Sequence, residues 1–151
     1  MNYKGFTLIE LLAVIVILAL LATIAVPSAI NISNNIKKNM YCEKVDLLLT
    51  DAKRWGEDHL SELREDCYIE VTIADLVEQG VTNKENDEGA YITNPYTDSA
   101  MDNDTIGLYL HNKRAYAFYT LNTNGLRSDV VSELENACDG VTPEARPANK
   151  C

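Results

Sequence analysis

The chain has 151 residues, with 23 acidic and 13 basic side chains and a formal charge of −10. That balance argues against a nucleic-acid surface, which is basic, and the length allows one small globular domain beside an anchoring segment. Basic pairs stand at Lys37-Lys38, Lys53-Arg54 and Lys113-Arg114; among acids or alone, they read as solvated faces. Lys37-Lys38 follow the apolar N-terminal segment, which suits contact with lipid phosphates or neighbouring acidic heads.

Residues 4–27 read KGFTLIELLAVIVILALLATIAVP. From Leu11 to Val26 there is no charge, and Thr23 is the single polar side chain. Such a run suits hydrocarbon. Glu10 at its head is expensive there, about 2.5–3.5 kcal/mol by insertion scales when unpaired. The first cation after Lys4 is Lys37, so the partner of Glu10 must come from elsewhere. A cut between Gly5 and Phe6 would create one. The new amine at Phe6 lies four residues, roughly 6 Å of helix rise, from Glu10. A neighbouring chain shifted along the axis could therefore offer its Phe6 amine to this carboxylate. Contacts of that head-to-tail kind propagate as filaments when they do not close into rings. A secretory signal peptide or plain anchor is the ordinary reading of an apolar N-terminus. The acid at the start, and the helix-compatible sequence after Pro27, speak against it.

The run 4–27 resembles the class III signal of type IV pilins and pseudopilins. The resemblance implies a cut after Gly5 by a prepilin peptidase, N-methylation of Phe6, neutralisation of a neighbour's N-terminus by Glu10, and a kink at Pro27. One departure is the leader MNYKG, which carries a single Lys. The implied organisation is a leader at 1–5, a transmembrane and filament-core helix at 6–30, and an extracytoplasmic head at 31–151 that includes the second half of the long helix. The implied fold is α+β and pilin-like, a long N-terminal helix packed against a small antiparallel sheet. The implied role is structural and not enzymatic. The subunit would rest in the cytoplasmic membrane with its head outward. An assembly ATPase and a platform protein would then move it into an extracellular pilus with copies of itself and minor pilins. A pseudopilin of a type II secretion or DNA-uptake machine is the alternative within the family. A non-polymerising, membrane-anchored binding module is the alternative of another class.

Beyond Pro27, the patch Asn31, Ser33, Asn34, Asn35 is weakly helical and reads as a flexible neck. Val45, Leu48, Leu49, Ala52, Trp55, Gly56, His59, Leu60 and Leu63 recur at three- and four-residue steps and form one apolar stripe. The long helix is therefore expected to reach Leu63 and to lie against a sheet. Gly56 is the place for a strand to approach closely, or for a helix irregularity. Thr72-Ile73-Ala74-Asp75 has capping-box spacing and predicts a short helix from Ile73 to Gln79, with Gly80 as its stop. Residues 81–105 read as a polar connection. Thr105–His111 and Ala115–Leu121 alternate as strands around a turn at Asn112, Lys113 and Arg114, and Asn124-Gly125 marks a further turn. Residues 128–138 read as a short helix capped by Ser128 or as an irregular segment, and 139–151 as a tail held by stapling.

No catalytic pattern stands out; His59 reads as a packing residue and His111 as a strand end beside a turn. The tyrosines of the hairpin read as rings packed on the helix stripe or between subunits, more than as a stacking surface for a ligand. Cys42, Cys67, Cys138 and Cys151 lack metal-ligand spacing and read as disulfide formers. If the helix runs from Cys42 to Leu63, its ends lie about 31 Å apart, while the four residues on to Cys67 reach roughly 14 Å. A Cys42–Cys67 bridge would then need an earlier break, with Gly56 as the candidate. Cys138–Cys151 meets no such obstacle, and the family resemblance favours a bridge closing a C-terminal loop. Cys42 and Cys67 would then pair with each other or stay free. Asp98, Asp102 and Asp104 offer hard oxygen ligands at short spacing, a calcium candidate that some pseudopilins make relevant, though the spacing is not that of an EF-hand.

Overall fold

The computed structural model describes residues 6–86, 89–138 and 146–151, and of 24–28 the backbone. The chain divides into two compact units, 1–36 and 37–151. The long helix α1 is Leu8–Asp58. The kink expected at Pro27 falls within 24–28 and so lies outside the described side chains. The neck expected at Asn31–Asn35 is helical, because the low propensity of a few Asn and Ser residues is a weak preference inside a long helix. The helix stops at Asp58 rather than Leu63. His59 N–H bonds back to Gly56 O and Glu62 N–H to His59 O, so the backbone leaves the α-helix in tight turns.

In the second unit, α1 packs on a four-stranded sheet of order β3-β2-β1-β4. The strands are β1 (Cys67–Thr72), β2 (Thr105–His111), β3 (Arg114–Thr120) and β4 (Asn149–Lys150). The fold is α+β and pilin-like as expected, but the sheet is mixed. β1–β2 and β2–β3 are antiparallel, whereas β4 runs parallel to β1, pairing Cys67 with Asn149 and Tyr68 with Lys150. The tail re-enters beside the start of β1 and is fixed there by the Cys67–Cys151 disulfide.

Alternation decides the two faces of this sheet. Ile106, Leu108, Ala115, Ala117 and Tyr119 are buried in one cluster with Tyr41, Val45, Leu48, Leu49 and Ala52 of α1. Gly56 lets the layers close: a Cβ there would stand 3.1 Å from the Ala115 Cβ. The helix stripe therefore does face a strand at Gly56. On the opposite face, Tyr68 meets Phe118 edge-on and Tyr109 stacks with Tyr116. The Arg146 guanidinium lies 3.6 Å from the Phe118 ring centre. The tyrosines thus divide, Tyr119 going to the helix and Tyr109 and Tyr116 to the far face.

Two short helices complete the head. Helix α2 (Ile73–Glu78) begins in a capping box, Thr72 accepting from Asp75 N–H while Asp75 accepts from Thr72 N–H, and is followed by Gly80 at φ 69°. Helix α3 (Ser128–Glu135) forms, but its N-cap is Arg127 and carries no side-chain cap bond. The β2–β3 turn uses Asn112 (φ 50°) and Lys113 (φ 64°), the left-handed pair that suits a two-residue hairpin. Arg114 already pairs with His111 as strand.

Candidate assembly site

Helix α1 starts at Leu8, so Thr7 is its N-cap and Glu10 stands at the third helical position. The two residues bond reciprocally. Thr7 N–H and O–H donate to Glu10 Oε2 at 2.9 and 2.7 Å, and Glu10 N–H donates to Thr7 Oγ1 at 3.3 Å. This is a capping box. The Thr-x-x-Glu spacing ahead of an apolar run is its sequence signal. The acid therefore has neutral donors within its own chain.

Around this box the helix shows an apolar surface on every side. Phe6, Leu8, Ile9, Leu11, Leu12, Val14, Ile15, Val16, Ile17, Leu18, Leu20 and Leu21 are all exposed. Thr23 returns its hydroxyl to Leu20 O at 2.7 Å, which satisfies the one polar group of the run within the helix. Gly5 and the rest of the leader lie outside the described residues. Among the described residues, no helix is long and apolar enough to cross a membrane.

The cations that follow the apolar segment are engaged within the head. Lys37 pairs with Asp98 at 3.7 Å, Lys38 with Glu133 of α3, and Lys44 with Glu85 at 2.7 Å. Lys44 also donates to Thr93 O at 2.7 Å. Within the chain the partners of Lys37 and Lys38 lie in the loop before β2 and in helix α3, since both elements return acids to this side of α1.

The cysteines form Cys42–Cys138 and Cys67–Cys151. The Cys138–Cys151 bridge and the Cys42–Cys67 pairing are both replaced. Leu134 is buried and Glu133 bonds Lys38, which seats α3 on α1 and carries Cys138 to Cys42; Cys151 meanwhile ends beside β1.

The three candidate calcium ligands do not converge. Asp102 accepts backbone N–H groups of Tyr91 and Ile92, both at 3.0 Å. Asp104 accepts the Tyr119 hydroxyl and Asn122 N–H. Asp98 faces Lys37. Among the described residues, no group of three or more His, Cys, Asp or Glu side chains could hold a metal ion. Asp104 is instead part of a buried polar chain. Burial pushes its carboxyl above the ordinary aspartate value, while the Tyr119 and Asn122 bonds act the other way. Burial likewise raises the Tyr119 hydroxyl, and takes Tyr41, whose ring meets Tyr119 edge-on, to about 12. His59 stacks on Trp55 and bonds Trp55 O at 2.8 Å; His111 meets Tyr116 edge-on.

Residues 1–26 match the family model of the prokaryotic N-terminal methylation motif, the class III prepilin signal of type IV pilins and pseudopilins. No curated protein and no solved structure matches the chain. The motif supports a pilin-like or pseudopilin-like subunit.

Proposed function

We propose that the chain is a structural subunit of a type IV pilus. It is cut between Gly5 and Phe6, methylated at the Phe6 amine and polymerised through its apolar helix, with Glu10 pairing the Phe6 amine of a neighbouring copy. The observation that carries this reading is the match at 1–26 on a helix segment whose described large apolar side chains, from Phe6 to Leu21, are all exposed. A surface of that kind needs lipid or other helices around it. The subunit rests in the cytoplasmic membrane and passes into the filament. That passage exchanges one apolar environment for another, so close packing and the ion pair direct register while area burial contributes little. Work for extraction comes from the assembly ATPase and its platform protein.

The test is the yield of filaments sheared from cells carrying Glu10→Leu. Loss of filaments with leader removal unchanged is expected; a normal yield refutes the reading. Mass analysis of the mature N-terminus should find methylated Phe6, and a retained Met1 would contradict processing. Long fibres composed mainly of this chain are the pilus outcome. Trace incorporation is the outcome for a minor pilin or a pseudopilin, and monomer without fibre the outcome for an anchored binding module.

A further inference from the structure

The capping box at the head of α1 uses the same acid that the filament reading needs, and it uses that acid asymmetrically. Both donors from Thr7, its N–H at 2.9 Å and its hydroxyl at 2.7 Å, fall on Glu10 Oε2. Among the described residues no hydrogen bond reaches Oε1. The box also survives removal of the leader, since Thr7 N–H belongs to the peptide bond that joins it to Phe6.

From this geometry we infer that Thr7 is a positioning residue for assembly: it holds Glu10 by one oxygen and leaves the other to an incoming amine. The inference rests on the filament reading above and adds two consequences. Before a neighbour arrives, the carboxylate already has two local donors, which offsets part of the cost of an acid in apolar surroundings. When the neighbour's amine arrives, the carboxylate is already held through Oε2 by Thr7, so less side-chain freedom is lost on pairing. Thr7 thus carries Glu10 from the membrane state to the filament state without a step in which the acid lacks partners. A free rotor at position 10 would meet the amine in many orientations. The cap reduces these to one.

Substitutions in the full chain, expressed with its assembly machinery, separate the parts. Thr7→Ala removes the hydroxyl as donor and as acceptor, and Thr7→Ser restores both. Glu10→Gln keeps a capping-box residue but removes the charge. With leader removal and both disulfides intact, Thr7→Ala should lower filament yield about tenfold, the scale of one hydrogen bond to a charged group. Thr7→Ser should return the wild-type yield, and Glu10→Gln should abolish filaments. Wild-type yield from Thr7→Ala overturns the positioning role while leaving the Glu10 pairing in place. A loss in Thr7→Ala traced to an uncut leader also overturns it, since Thr7 would then act on the peptidase. Normal filaments from Glu10→Gln would sink the ion pair itself, a distinguishable failure of the underlying reading.

Discussion

At the level of single residues, two positions on the sheet show how local chemistry fixes the head. Gly107 pairs across the sheet with Phe118, and a Cβ on Gly107 would run into that ring at three of its carbons. The ring covers the bare backbone of the glycine and is itself covered by Arg146. A strand glycine is a weakness that an aromatic neighbour repairs. Gly107→Ala should destabilise the head by about 1–3 kcal/mol, the range for overpacking a filled site, read as a lower urea midpoint by fluorescence of Trp55. Asp104 gives a second expectation, with a sign opposite to that of most carboxylates. Its native proton affinity is raised by burial above the ordinary value of 3.8. Its contribution is therefore fully present below that value and is lost as pH rises through the raised one. Asp75 and Glu133, held low by Thr72 and Lys38 respectively, act in the opposite direction. Because they are common to wild type and Asp104→Asn, the difference between the two proteins isolates Asp104. The urea midpoint of wild type minus that of Asp104→Asn should fall as pH rises above the ordinary aspartate value of 3.8; a flat difference would contradict a buried acid at this position.

At the level of elements, what the sequence made legible followed short-range rules. Thr72 and Asp75 announce α2, alternation around Asn112 and Lys113 announces the β2–β3 hairpin, and the three- and four-residue stripe announces the buried face of α1. What it left hidden depends on partners distant in the chain. Strand β1, CYIEVT, alternates too weakly to be assigned alone, with every position half-buried, and is defined by pairing with β2. Cysteine pairing could not be read locally, because Cys138 reaches Cys42 only when α3 docks on α1 through Leu134 and the Lys38–Glu133 pair. At the assembly site, Glu10 stands out by its charge in an apolar run, whereas Thr7 takes its meaning from the three-residue spacing to Glu10. The observed bridges span sequence separations of 96 and 84. Loops of that size correspond to about 4.5–5 kcal/mol each in the chain-entropy estimate, less for the second because the two overlap. Removing Cys42–Cys138 by a double Ser substitution should release α3 first. Amide exchange across 128–138 should accelerate while β2 and β3 stay protected, and the whole head should lose about 2–5 kcal/mol. Equal loss of protection in the sheet would mean that α3 and the sheet unfold as one unit.

At the level of the whole molecule, the two units obey different solvents. Residues 1–36 hold the apolar helix surface, with Glu10 and Lys4 as their two charges. Residues 37–151 carry every other charge, 22 acidic against 12 basic, so the head alone keeps a formal −10. Its core, from Tyr41 to Leu134, and both disulfides lie within that unit. The helix segment 37–58 is held to the rest of that unit by Lys37, Lys38 and Lys44, by Cys42 and by the buried stripe. A chain starting at Lys37 and exported to an oxidising compartment should therefore fold. It should run as a monomer in size exclusion and show all four thiols oxidised by mass. Its net charge favours solubility and opposes self-association, so any dimerisation should grow with added salt as the repulsion is screened over roughly 8–10 Å. The same fragment should form no filaments, because Phe6, Thr7 and Glu10 are gone. A fragment that aggregates in low salt would show instead that the head depends on the helix to cover an apolar surface of its own.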